Sequence, residues 1–227
     1  MIKINIIKPL RYSLLGLLFF LLSVSSGAHT DFSKLKSLAL QRYGTHAQDA
    51  INDLEKTVLG LQSATELVKI KQINDFFNHH IQNFDEDINI WGQSDYWATP
   101  LEALGKNAGD CEDYSIAKYI FLKELNIPID RLKLTYVRAQ IGGPSSKIFQ
   151  AHMVVSYYPQ LNAEPLILDN LISEIRPASR RADLSPIFSF NDDGLWVGSG
   201  ATPKSDATSH LSRWRDVLIR IKNDGID

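Results

Sequence analysis

Gly109-Asp110-Cys111-Glu112-Asp113-Tyr114 is the stretch from which the rest of the chain can be read. Gly109 ends a short segment and Cys111 opens a helix. Its apolar positions Ile116, Ala117, Ile120, Phe121 and Leu125 recur at helical spacing until Asn126-Ile127-Pro128 stops it. Cys111 is the only cysteine among 227 residues and therefore has no disulfide partner within the chain. The three carboxylates around it raise a thiol's pKa, so a reactive sulfur here needs something positive to offset them.

Upstream the pattern is helical. Segments over Phe32–Tyr43 and 47–59 precede a third, in which Leu67, Ile70, Ile73, Phe76, Phe77 and Ile81 return every three or four residues. Ser63 and Glu66 have the spacing of a capping box at its start. Residues 83–98 carry no period and are read as irregular. Thr99-Pro100-Leu101-Glu102 then signals a short helix, with Thr99 as N-cap and Glu102 closing its capping box.

Beyond Pro128 the period changes to that of strands: 132–139, 151–158, Leu166–Leu168, and a hairpin of 187–190 with Leu195–Val197 around Asn191-Asp192-Asp193-Gly194. Helices followed by antiparallel strands define an α+β class, with the cysteine helix packed on the sheet. Residues 29–227 contain no linker-like stretch and are expected to form one domain.

The first 28 residues read as a secretory signal. Lys3, Lys8 and Arg11 precede an apolar run of about eleven residues (14–24), and Ser26 and Ala28 occupy the −3 and −1 positions of a cleavage site. The run is shorter than the roughly 20 residues that span a bilayer. Export is expected. A net charge of −2 excludes a broad electrostatic grip on nucleic acid.

Three residues combine into a chemical site. His152 lies in the strand Ala151-His152-Met153-Val154, and Asp169 ends the strand Leu166-Ile167-Leu168-Asp169, 17 residues later, as suits neighbouring strands. Cys111 begins a helix, where free backbone N–H groups and the macrodipole favour a thiolate. An imidazole can take the thiol proton, and a carboxylate can hold that imidazole in the right tautomer. The plainer readings are a buried cysteine, a core histidine and a strand-end aspartate. For the acids beside Cys111 the choice lies between a hard-oxygen cation site and simple complementation of the helix dipole. His79 and His80 are read as a solvated face and 85–87 and 191–194 as turns, while Trp91 and Trp97 fit cleft wall or core equally well.

The motifs 109–114, 151–154 and 166–170, with the approach Asp95-Tyr96-Trp97-Ala98-Thr99-Pro100-Leu101-Glu102, resemble those of the bacterial transglutaminase-like cysteine proteinases. That resemblance implies a papain-like or transglutaminase-like core, with Cys111 as nucleophile, His152 as base and Asp169 as orienting acid. It implies calcium dependence, with Asp110 and Glu112 as ligands; Asp113 is a plausible third. It further implies a periplasmic endopeptidase that cuts the N-terminal region of a large surface adhesin, releasing it and dispersing biofilm. An inner-membrane receptor for cyclic di-GMP would sequester the enzyme through its periplasmic domain. Acyl transfer to an amine, or a calcium-responsive binding module without catalysis, are the alternatives.

Overall fold

The computed structural model describes residues 29–198 and 211–227, so the expected signal segment lies outside the described residues. Helices α1 (Phe32–Tyr43) and α2 (Thr45–Leu61) are separated by Gly44, whose φ of 89° ends one helix before the next begins. Helix α3 (Glu66–His80) buries Ile70, Ile73, Phe76 and Phe77 on the expected face. Its expected capping box does not form. Thr65 is the N-cap, and the Glu66 carboxylate instead takes the Arg131 guanidinium and, at 2.5 Å, the Tyr157 hydroxyl. A guanidinium is a stronger partner for a carboxylate than a single backbone N–H.

Residues 83–98 are more ordered than their sequence suggests. A two-residue strand, β1 (Asn83–Phe84), runs parallel to β2 (Ala108–Gly109), and α4 (Asp87–Trp91) follows it. Helix α5 (Pro100–Lys106) begins with the expected box, Thr99 Oγ1 accepting from the Glu102 N–H and Glu102 from the Thr99 N–H. Helix α6 (Cys111–Glu124) starts at the expected cysteine. It is buried on nearly every side, charged Asp113, Lys118 and Glu124 included.

The sheet against which α6 packs comprises β3 (Leu132–Ile141), β4 (Ile148–Tyr157), β5 (Leu166–Leu168), β6 (Arg176–Pro177), β7 (Leu184–Phe190) and β8 (Leu195–Val197), in the antiparallel order β6-β5-β4-β3-β7-β8. Strand β4 begins at Ile148, three residues before the stretch the pattern indicated. The turn at 191–194 is built as read, with Asn191 Oδ1 accepting from the N–H groups of Asp193 and Gly194. Helix α7 (Ser212–Asp224) closes the core with fully buried Trp214, edge-on to Tyr119 and Phe190 at 5.6 and 5.4 Å. Among the described residues no helix is long and apolar enough to cross a membrane.

Candidate active site

Asp110 is the N-cap of α6. Its Oδ1 accepts from the Glu112 N–H at 3.1 Å and from the Asp113 N–H at 3.5 Å, while Asp113 returns the bond to the Asp110 N–H, completing a capping box. The other oxygen of fully buried Asp113 accepts from the Ala98 N–H at 2.7 Å, which ties the approach segment to the helix start. Arg220 holds that segment from outside, through the Trp97 carbonyl and Glu102. Cys111 is therefore presented on a rigid helix end.

The same cap explains Gly109. A Cβ there would lie 2.9 Å from both Cβ and Oδ2 of Asp113, too close for any real contact. Gly109→Ala is expected to cost about 1–3 kcal/mol through this overpacking. Urea unfolding measures it, and an unchanged midpoint would mean that Asp113 can move without loss.

Cys111 is buried, and its Sγ donates to Glu112 Oε2 at 2.7 Å. The Tyr136 hydroxyl donates to the other oxygen of Glu112 at 2.9 Å. Burial, followed by the charges of Glu112 and Asp110, pushes the thiol pKa well up, the suppression expected from the sequence. The backbone of Met153 on β4, next to His152, opposes this rise. The Ser115 hydroxyl, one turn along α6, donates to the Met153 carbonyl at 3.0 Å. This bond stitches the start of α6 to the strand that carries the histidine.

His152 is buried, and its Nε2 lies 2.8 Å from Asp169 Oδ1. With Nε2 committed to the carboxylate, Nδ1 is the ring nitrogen left for chemistry. Asp169 also accepts from the Leu171 N–H at 3.0 Å and from Arg181 at 2.7 Å. Burial alone would raise its pKa. The bonds from His152, Leu171 and Arg181 outweigh it and hold the carboxyl at about 2. Arg181, 2% exposed, was not singled out in the sequence, where nothing distinguishes it from Arg180; it also clasps Asp183 at 2.8 Å. Buried Lys118, another residue the sequence did not flag, has its pKa lowered to about 7 by desolvation, against the charges of Asp169 and Asp75.

The acids fall into two groups. Ligand atoms of Asp110, Cys111 and Glu112 lie within 4.8 Å of one another, as do those of Asp87, Asp110 and Asp113. Asp87 sits in the triplet read from sequence as a turn. Asp85 does act locally, accepting from the Asn89 side chain and the Glu86 N–H, whereas Asp87 turns inward. One oxygen of Asp87 accepts from the Tyr96 N–H at 2.6 Å; the other, Oδ1, is buried without a hydrogen-bond partner. Burial, followed chiefly by neighbouring carboxylates, raises Asp110; burial lifts Asp87 to about 6. Asp113 is also raised, by burial first and by the charges of Asp87 and Glu112, against its backbone bonds. A buried orphan oxygen amid hard carboxylate donors, with backbone N–H groups rather than cationic side chains as partners, fits a hard divalent cation.

Trp97 belongs to the core, stacked on Phe190 at 5.7 Å, and Trp91 packs against Tyr96. His80 stacks on Phe76 at 3.9 Å beside exposed His79, in keeping with a surface reading. A cleft of about 410 Å³ opens at Cys111 between Phe84, Ile88, Asp95, Gln150 and Ala151. A hollow of about 460 Å³ between α3 and Ile175 lies away from this chemistry.

A thiol at a helix start, stitched to an antiparallel strand bearing a histidine held by a carboxylate, defines the transglutaminase-like class of α+β fold. The family model described as bacterial transglutaminase-like cysteine proteinase (BTLCP) matches residues 39–186, and the chain belongs to that family. Among solved structures it is similar to Legionella pneumophila LapG, 34% identical over 86% of this chain and 99% of that one, with a TM-score of 0.71. An EGTA-treated form of that protein gives 33% identity, 86% and 100% coverage and a TM-score of 0.73. Its calcium-bound form gives 35%, 84% and 98%, and 0.69. No curated protein sequence matches.

Proposed function

We propose that the protein is a periplasmic, calcium-dependent cysteine endopeptidase with Cys111, His152 and Asp169 as its triad. The carrying observation is the buried His152–Asp169 pair at 2.8 Å, with the next residue of His152's strand, Met153, accepting from Ser115 on the helix that the only cysteine begins. His152 Nδ1 takes the proton of Cys111, and the thiolate attacks a peptide carbonyl. The Cys111 N–H at the helix start donates to the oxyanion, since those of Glu112 and Asp113 are already taken by Asp110. As the tetrahedral adduct collapses to a thioester, the imidazolium returns its proton to the leaving amine. Water, deprotonated by His152, then hydrolyses the thioester and frees the thiol. Asp169 keeps the imidazole oriented and stabilises its cation throughout.

Asp110, Asp113 and Asp87, with Glu112 alongside, would hold Ca²⁺. When bound, it supplies two positive charges beside a thiol that the acids otherwise suppress. The calcium-bound and EGTA-treated LapG structures support this reading by similarity. Excess EGTA is expected to lower cleavage at least about tenfold and to lower the unfolding midpoint. A ligand at 100 times its Kd contributes about 2.7 kcal/mol to the folded state. Added Ca²⁺ should reverse both effects. Equal rates and equal melting in chelator would remove calcium from the mechanism.

The substrate in this reading is the N-terminal region of a large surface adhesin, whose cleavage releases it and disperses biofilm. The periplasmic domain of an inner-membrane cyclic di-GMP receptor would sequester the enzyme. The test is incubation with a recombinant N-terminal adhesin fragment and an amine probe. One defined cut without probe incorporation supports proteolysis. Incorporation in place of cleavage turns the assignment to acyl transfer, and neither outcome leaves the binding-module alternative.

A further inference from the structure

Strand β4 pairs with β3 along its whole length, from Ile148 to Tyr157, but β5 covers only Val155–Tyr157 of its other edge. The direction of the remaining main-chain groups follows from the alternation of an antiparallel ladder, in which successive pairs turn their N–H and C=O groups toward the partner strand and then away. The Met153 carbonyl goes to Ser115 on α6, so the Tyr136–Met153 pair is one that faces away. The Gln140 N–H goes to the Asp183 carbonyl on the far side of β3, so the Gln140–Phe149 pair faces away too. Arg138–Ala151 lies between these pairs and has the same parity.

The outer edge of β4 is thus occupied in order. Val155 and Tyr157 serve β5, Met153 serves the start of the cysteine helix, and Ala151 and Phe149 face outward with no strand beside them among the described residues. Residues 148–151 are exposed, and Gln150 and Ala151 line the cleft that holds Cys111. An uncovered edge is a template for another strand, and proteins ordinarily cover or blunt it. Here it ends at the nucleophile.

We propose that the polypeptide substrate binds as an added β-strand on this edge. The main chain of Phe149 and Ala151 pairs with two substrate residues of the same parity, on a line that continues β5, and so delivers the scissile carbonyl to Cys111. The inference deepens the proteinase reading and rests on it. It defines the substrate class as an extended, unfolded segment recognised through its backbone, with side chains selected at every second position. A helical segment would have no free N–H or C=O to offer.

The experiment uses a peptide of about twelve residues spanning the cut mapped in the adhesin fragment, N-methylated at one amide at a time. Methylation of the amides that pair with β4 should lower kcat/KM by about tenfold, the effect of leaving an edge acceptor unpaired. Methylation of the intervening amide should cost much less. In the enzyme, Phe149→Pro removes an outward N–H without removing a β3–β4 bond, and should fall about tenfold below Phe149→Ala. The alanine variant measures the loss of the ring, which lies over Arg138 at 3.7 Å. Should the proline variant not fold, the N-methyl series decides alone. A flat series, with the unmodified peptide cleaved, overturns strand addition and leaves the proteinase standing. Failure of the wild-type enzyme to cut the adhesin fragment at all overturns both.

Discussion

Cys111→Ala is expected to lose cleavage by about 10⁴-fold or more while the protein stays folded. In the proposed mechanism, removal of the nucleophile would leave only binding and oxyanion stabilisation, because a triad acts as a unit. The stability side is as informative. The substitution deletes one sulfur from a site 8% exposed, and with it a thiol held against the Glu112 carboxylate. Helix α6 keeps its start, since the cap is made by Asp110 and Asp113. A change within about 1 kcal/mol, or about 2–4 °C in melting midpoint, is expected. Substantial cleavage by the folded variant would end the assignment of Cys111. Alkylation of the wild type, followed by mass spectrometry, gives an independent reading, because the chain has only this one thiol.

Arg181→Met carries the second largest effect, and it acts at a distance from the sulfur. Arg181 and Asp169 are almost fully buried, and the guanidinium supplies Asp169 Oδ2 at 2.7 Å while His152 uses Oδ1 at 2.8 Å. Removing one member of a buried pair leaves an uncompensated charge, which costs about 3–5 kcal/mol. The melting midpoint should fall by roughly 10 °C. The pH dependence has a defined sign. Asp169 is depressed to about 2 from the 3.8 of an ordinary aspartate, so its contribution to stability is present above about pH 4 and is lost as pH falls through about 2. Without Arg181 the carboxyl pKa rises and acid unfolding begins at higher pH.

A protonated Asp169 cannot stabilise an imidazolium, so the acid limb of the kcat profile should also move up. That limb distinguishes a positioning residue from a merely structural one. Arg181→Lys, which restores the charge but not the two-sided clasp of Asp169 and Asp183, should recover the acid limb in part. A Met variant with wild-type melting and an unmoved acid limb would free Asp169 from dependence on Arg181.

The two capping boxes illustrate what local reading could and could not settle. Thr99 with Glu102 formed as spaced, because nothing competes for Thr99 Oγ1 as acceptor and Glu102 reaches both its own cap and Arg220. Ser63 with Glu66 has the same spacing and failed, because the helix starts two residues later, with Thr65 as N-cap and Glu66 as its first residue, where the carboxylate takes Arg131, 65 residues away. The short pair β1 and β2 was illegible for a different reason. Each is two residues long, below the length at which alternation can register, and it exists only because the chain ahead of Cys111 passes beside Asn83.

Elements with strong periods, and the residue types of the candidate site, are legible from the chain alone. A cysteine at a helix start, with a histidine and an aspartate on later strands, can be read from short-range rules of capping and alternation. Tertiary structure decided everything that depends on groups far apart in the chain. It brought Asp87 to Asp110 and Asp113, placed Arg181 behind Asp169, turned Glu112 onto the thiol, and left the outer edge of β4 open beside Cys111. Charge, burial and unpaired backbone are properties of a neighbourhood, and the neighbourhood exists only after the strands and α6 have packed.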